Sequence, residues 1–219
     1  NHGSQLGLGK NQITYEYQVL EALAASQVTP LPVACHPHPE PLGGGALLMT
    51  YLPGKALDYR RDLKRAARIF SRIHTTPVPR GLVVQADPVR DIARESGDLL
   101  NRFPDHPLKK EKRLIQAYHD TVLELADRTH TLFSDEGLCL VNTEVNSGNF
   151  LISDAGAFLV DWEKAVESYR YQDLGHFMVP TTTLWKSDTI LTPKDKNRFL
   201  AAYHQEACPD MDIDLLALK

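Results

Sequence analysis

A polar loop between two apolar runs carries the residue types that can do chemistry. Glu144 precedes Asn149 by five residues, and Asp161 follows twelve residues later, at the end of the next apolar run. A carboxylate and an amide at the two ends of a short loop can face one cleft, together with an aspartate that ends the adjacent strand. Amide and carboxylate oxygens are hard ligands that suit Mg²⁺, while Glu144 can accept a proton from an attacking hydroxyl. A base, a metal-binding asparagine and a metal-binding aspartate are the working parts of phosphoryl transfer.

The elements that must position this loop are short apolar strands and longer amphipathic helices. Tyr15, Val19, Ala22 and Leu23, for example, recur at helical spacing. Helices dominate the order of elements, so the predicted fold class is α+β. The predicted strands cover residues 46–51, 138–141, 150–152 and 157–160, and the predicted helices cover 15–25, 57–73, 88–103, 108–132, 172–178 and 193–205.

The composition excludes several classes of protein. The 219 residues are 42% hydrophobic and 24% charged, which excludes disordered and low-complexity chains. The net charge of −4 lacks the basic excess of a nucleic-acid binder, so we expect no nucleic-acid partner. No apolar stretch approaches the ~20 residues that span a bilayer, so we expect no membrane partner. Three widely spaced cysteines argue against a disulfide framework and indicate a reducing, cytoplasmic location.

The polar loop resembles the catalytic segment of the aminoglycoside phosphotransferase and choline kinase-like family, whose members are relatives of protein kinases. The family pattern is His-Gly-Asp, four residues, Asn, and then an apolar strand that ends in Ile-Asp-Trp-Glu. The same frame here begins at Asn142, carries Glu144 and Asn149, and ends in Asp161-Trp162-Glu163. Further segments that resemble the family, in the same order, are 15–20, 47–54, 73–77 and 172–174.

The resemblance implies a fold and a function. The fold is a protein kinase-like one of two lobes, with a truncated N-terminal lobe and hinge over residues 1–52 and a mainly helical C-terminal lobe over 53–219. The implied cofactors are ATP and Mg²⁺. The implied function is that of an enzyme, a phosphotransferase that acts on a hydroxyl of a small molecule.

The resemblance also implies roles for individual residues. Asn149 and Asp161 would hold Mg²⁺, and the catalytic pair would be Asn149 and Glu144, with Glu144 orienting or deprotonating the acceptor. Asp173 would brace the loop through backbone N–H groups. The nucleotide-binding residues would be Asp161, the hinge residues Met49, Thr50 and Tyr51, and Glu16, which corresponds to the family's partner of a nucleotide-binding lysine.

Two departures from the family pattern leave other functions open. Glu144 stands where the family has aspartate, and a ~1 Å misplacement of a reacting group can cost ~100-fold in rate. Only fifteen residues precede Glu16, too few for the family's glycine-rich loop and lysine-bearing strand. We therefore interpret residues 3–10 as the end of a third strand and its connection to a helix, with the first two strands absent from this chain.

The alternative function is a non-catalytic, kinase-like module (a pseudokinase) that binds a nucleotide or another ligand. A third hypothesis, a purely structural helical protein, predicts no open cleft around Glu144, Asn149 and Asp161. An incomplete N-terminal lobe would expose a sheet edge and apolar surface, which favours a homo-oligomer.

Overall fold

The computed structural model describes residues 6–218, which form two compact units. One unit contains the residues up to Val84 together with those from Leu138 onward, and the other is Gln85–Gly137. The predicted α+β class is confirmed. The helices are α1 (Gln12–Leu23), α2 (Leu63–His74), α3 (Pro88–Arg102), α4 (Lys109–Thr129), α5 (Tyr171–Met178), α6 (Pro180–Lys186), α7 (Pro193–Ala207) and α8 (Ile213–Leu218), and the strands are β1 (Pro32–His36), β2 (Ala46–Met49), β3 (Cys139–Val141), β4 (Phe150–Ser153), β5 (Gly156–Leu159) and β6 (Val166–Ser168).

The described strands pair as three two-stranded antiparallel sheets, β1–β2, β3–β6 and β4–β5. In the β4–β5 hairpin, Phe150 lies opposite Leu159 and Ser153 lies opposite Gly156. A further bridge joins Lys55 to Ile152, with two backbone hydrogen bonds of 2.8 and 2.9 Å. The hairpin is therefore held on its outer side by the segment that follows β2.

The core of the larger unit is an aromatic cluster beside this hairpin. The ring centroid of Phe70 lies 5.8 Å from that of Phe150, 5.4 Å from that of Phe177 and 5.9 Å from that of Phe199. Phe70 belongs to the predicted apolar stripe of α2, which is buried as expected. Because Phe150 directly follows Asn149, burial of its ring anchors the end of the polar loop.

Several predicted boundaries were wrong. Gly3, Ser4 and Gln5 lie outside the described residues, and the rest of the predicted third strand is a turn followed by a short 3₁₀ helix, Gly9–Asn11. Gly7 has a φ of 71° and Gly9 a φ of 52°, which is incompatible with an extended strand.

The second helix begins at Leu63 rather than at residue 57, because the preceding residues form a turn. In this turn, the Arg61 backbone N–H donates a hydrogen bond to the Asp58 carbonyl at 3.0 Å. The boundary between lobes at residue 52 stays a prediction.

The smaller unit is a helical hairpin of α3 and α4. The Asp87 side chain caps α3 by accepting from the Arg90 N–H, and the Arg90 guanidinium lies 2.5 Å from the Asp127 carboxylate on α4. Across residues 6–218, every helix is too short or too polar to traverse a lipid bilayer.

Candidate functional site

The β4–β5 hairpin explains the spacing of twelve residues between Asn149 and Asp161. Asn149 directly precedes β4, and Asp161 follows β5 by two residues. The Val160 N–H donates to the Asn149 carbonyl at 2.9 Å, so the two ends of the hairpin stay side by side. Asp161 has a φ of 67° and Thr143 a φ of 70°, a left-handed backbone that non-glycine residues adopt at a cost. The hairpin therefore places Asn149 and Asp161 close to each other.

Asp161 belongs to a cluster of three carboxylates with Glu144 and Glu163. One oxygen from each lies within 4.8 Å of the others. The pKa of Asp161 is raised, first by partial desolvation and then by the negative charges of Glu144 and Glu163, against the opposing effect of Lys164. The tertiary structure thus concentrates negative charge at the end of the hairpin.

Glu16 brings a fourth carboxylate to this region from α1. Desolvation, followed by repulsion from Asp161 and Glu163, raises the pKa of Glu16 to about 7, despite a hydrogen bond from the Trp162 backbone. The helix is fixed in register, because Tyr15 donates from its hydroxyl to the Ala165 carbonyl at 2.6 Å. The predicted pairing of Glu16 with a nucleotide-binding lysine stays a prediction.

Lys164 brings a positive charge to this cluster. Its ammonium forms a short ion pair with the Glu144 carboxylate, and the side chains are 24% and 25% exposed, respectively. The Thr143 hydroxyl donates to the Lys164 carbonyl at 3.0 Å, which holds this segment against the loop.

Sequence reasoning missed Lys164 and did not assign a role to Glu163. For Glu163 a signal existed, because it is part of the Asp-Trp-Glu motif. For Lys164 there was none, since its contact with Glu144 crosses twenty residues.

Asp173 braces the polar loop, as expected. Its carboxylate is fully buried and accepts from the backbone N–H groups of Asn142 and Thr143, both at 2.8 Å. His74 adds a third polar neighbour, with Nε2 3.3 Å from the carboxylate and Nδ1 2.8 Å from the Tyr203 hydroxyl. This buried network fixes the backbone before Glu144.

The side chains of Asn142 and Asn149 form hydrogen bonds with the backbone of the polar loop and of the segment that follows β5. The Asn142 amide donates to the Asp161 carbonyl at 2.8 Å and accepts from the Glu144 N–H at 3.0 Å. The Asn149 amide nitrogen donates to the Glu144 carbonyl at 2.7 Å, so its side-chain oxygen is the atom that can coordinate a cation. The loop is therefore cross-linked to the segment that bears Asp161.

The predicted hinge residues are Met49, which ends β2, and Thr50 and Tyr51, which directly follow it. The Thr50 N–H donates to the Leu31 carbonyl and the Thr50 hydroxyl accepts from the Leu31 N–H, both at 2.9 Å. Tyr51 is 89% exposed and Met49 is 36% exposed. Their contact with adenine stays a prediction.

The donor set suits Mg²⁺. Three carboxylates and one amide oxygen are hard ligands, and Mg²⁺ is bound through one or two carboxylates together with waters and phosphates. The pKa values of Asp161 and Glu16 are both raised, first by desolvation and then by repulsion from neighbouring carboxylates, and a bound cation would stabilise the ionised forms.

Solved structures of low sequence identity share the fold of this chain. A choline/ethanolamine kinase family protein from Mesorhizobium loti is 16% identical, with a TM-score of 0.64 over 89% of this chain and 60% of that one. A Plasmodium vivax ethanolamine kinase is 12% identical, with a TM-score of 0.66 over 93% and 59%. An aminoglycoside phosphotransferase from Streptomyces rimosus, in complex with ADP and streptomycin, is 14% identical, with a TM-score of 0.61 over 93% and 78%. The chain spans about 60% of the length of the first two structures.

These likenesses define the class: the chain has a protein kinase-like fold, with the carboxylate cluster at the end of its β4–β5 hairpin. No curated protein matches the sequence significantly. The model of the phosphotransferase enzyme family matches residues 8–213, so the chain belongs to that family.

Proposed function

We propose that this protein transfers a phosphoryl group from Mg²⁺-bound ATP to a hydroxyl of a small molecule. The observation that supports this most is the cluster of Glu144, Asp161 and Glu163, whose oxygens lie within 4.8 Å of one another. The family match supports the reaction class, and the Streptomyces rimosus structure in complex with ADP and streptomycin supports both nucleotide use and a small-molecule acceptor.

In this proposal Asp161 and Asn149 hold the metal, and Glu163 adds negative charge beside them. The bound metal would neutralise charge on the transferring phosphates. Glu144 accepts the proton of the acceptor hydroxyl while the acceptor oxygen bonds to phosphorus and the bond to the ADP leaving group breaks. Lys164 orients the Glu144 carboxylate through their ion pair.

The assignment of ATP, Mg²⁺ and an acceptor to the whole protein is also a proposal. So are the nucleotide contacts of Glu16, Met49, Thr50 and Tyr51, the lobe boundary at residue 52, and self-association. A reducing location such as the cytoplasm is likewise a proposal, supported by three widely spaced cysteines that argue against a disulfide framework.

Thermal unfolding with Mg²⁺–ATP, and with ATP plus a chelator, tests the binding step. We expect Mg²⁺–ATP to raise the midpoint temperature of unfolding and ATP plus the chelator to leave it unchanged. We expect Asp161→Asn to abolish the increase. Asp98→Asn, at an exposed position of α3, is the matched control and should respond like the unchanged chain. An unchanged chain that Mg²⁺–ATP does not stabilise would contradict the proposal.

Phosphoryl transfer is then measured by ³¹P NMR with a panel of amino alcohols and aminoglycosides. A phosphomonoester product that forms with the unchanged chain and with Asp98→Asn, but not with Asp161→Asn, is the expected result.

The second candidate function is a pseudokinase, and one observation favours it. The Lys164 ammonium pairs directly with the carboxylate at the position of the base, Glu144, which competes with proton acceptance. A pseudokinase would bind Mg²⁺–ATP in the unfolding assay and yield no phosphomonoester with any acceptor.

A further inference from the structure

A cavity of about 470 Å³ lies at the tip of the β4–β5 hairpin, far along the strands from Asn149 and Asp161. Its basic wall is Arg65, Arg68 and Arg72 of α2. A cavity of this size falls within the ~300–1,000 Å³ of small-molecule sites. The proposed phosphotransfer chemistry does not use it.

The three arginines are spaced to act together. Positions i, i+3 and i+7 lie on one face of a helix and span roughly 10 Å at ~1.5 Å per residue. Arginine presents a planar fork of N–H donors that matches phosphate oxygens bidentately. The described lining contains one carboxylate, Asp154, against these three guanidinium groups.

The present contacts of the arginines leave this capacity in place. Arg65 lies 3.9 Å from Asp62, Arg68 pairs with Glu206 at 2.8 Å, and Arg72 donates to the Ser26 carbonyl at 3.4 Å. Asp62, Glu206 and Ser26 are not part of the cavity lining. A guanidinium carries five donors, so none of these contacts saturates it.

The rest of the cavity is apolar enough to take a carbon skeleton. Val28 and Ile69 are buried in its wall, and Phe158 is partly exposed beside them. A Cβ at Gly156 would lie 2.7 Å from Cζ of Phe158, so the ring packs directly over this glycine at the hairpin turn. Basic and apolar surfaces therefore meet in one cavity.

We propose that this cavity binds an organic phosphate, with the phosphate group on Arg65, Arg68 and Arg72 and the organic part against Phe158 and Ile69. The chemistry favours a phosphate monoester that bears a ring. This inference is independent of the proposed phosphotransfer at the carboxylate cluster.

NMR titration of the ¹⁵N-labelled chain with phenyl phosphate tests the proposal and locates the binding. We expect amide shifts in 27–28, 65–72 and 153–158, and no comparable shifts in 142–149 or 161–164. Inorganic phosphate and phenol, as separate probes, should each bind at least tenfold more weakly, because each lacks one half of the ligand. Equal binding of inorganic phosphate would overturn the assignment to an organic ligand.

The double variant Arg65→Gln and Arg72→Gln should weaken phenyl phosphate at least tenfold, since charge-assisted hydrogen bonds to the phosphate are lost. Arg113→Gln, at an exposed position of α4, removes charge elsewhere and should leave binding unchanged. Undiminished binding by the double variant would overturn the proposal. The shift map of the unchanged chain is a second test, because an absence of shifts in the three segments overturns it whether or not the variant folds.

Discussion

Replacing Lys164 with methionine should tighten Mg²⁺ binding at the carboxylate cluster. Methionine keeps much of the side-chain volume and removes the ammonium that pairs with Glu144. Because Asp161 of the cluster is exposed to solvent, we take an effective dielectric constant of about 60, between the ~20 of pairs near a protein surface and the ~80 of water. A divalent ion about 5 Å from the ammonium is then repelled by about 2 kcal/mol. The expected gain in Mg²⁺ affinity is about 30-fold.

Isothermal titration with MgCl₂ at pH 8 measures this change, because this pH lies above the pKa of about 7 of Glu16, the carboxylate that α1 brings to this region. Lys194→Met, at an exposed position of α7, removes a lysine far from the cluster in sequence and should alter the affinity by less than twofold. An affinity that is unchanged or weaker in a folded Lys164→Met protein would refute the electrostatic reasoning. It would mean that the ion pair holds Glu144 in the geometry that the metal needs, rather than opposing the metal.

Three further predictions concern stability, measured by urea unfolding. Glu16→Gln should add about 2 kcal/mol to the free energy of unfolding at pH 8 and nothing at pH 4. The reason is that the pKa of Glu16 is about 7 in the folded protein and near 4.5 in the unfolded chain, so ionisation destabilises the folded state as pH rises above 4.5. Equal gains at both pH values would contradict this. Asp173→Asn should cost about 3 kcal/mol, because a buried carboxylate with two backbone donors is lost, and a cost below about 1 kcal/mol would disprove its bracing role. Gly54→Ala should cost about 1–3 kcal/mol, because its Cβ would meet the Ile152 backbone at 2.9 Å. Gly137→Ala, with nothing within 4 Å, is its control and should cost less.

The neighbourhood of Asn149 and Asp161 could be predicted from sequence because a local hairpin produces it. Two apolar runs separated by Asp154-Ala155-Gly156 indicate antiparallel strands, and antiparallel pairing brings the residues at their outer ends together. The same logic covers Glu144, which lies one short loop away. The local sequence pattern was sufficient to predict which residues lie together wherever those residues are close in sequence.

Element boundaries were harder to predict where turn chemistry competes with helix propensity. The apolar spacing from Leu57 onward is compatible with a helix, yet the Asp58 carboxylate accepts from the Arg60 N–H and from the Arg61 side chain and holds a turn. Side chains that bond their own backbone compete with the helix in this way. The same limit applies to residues 6–10, where positive φ at two glycines replaces the expected strand.

The sequence by itself determined the α+β class, the family frame and the spacing of Glu144, Asn149 and Asp161, because these depend on periodicity and on spacing along the chain. Only the tertiary structure decided that Glu16 of α1 lies close enough to Asp161 and Glu163 to be repelled by them and that Lys164 pairs with Glu144. It also decided that three arginines of α2 line a cavity with the hairpin turn. The physical reason is common to all three: electrostatic interactions act through distances in space, and packing of elements far apart in sequence sets those distances.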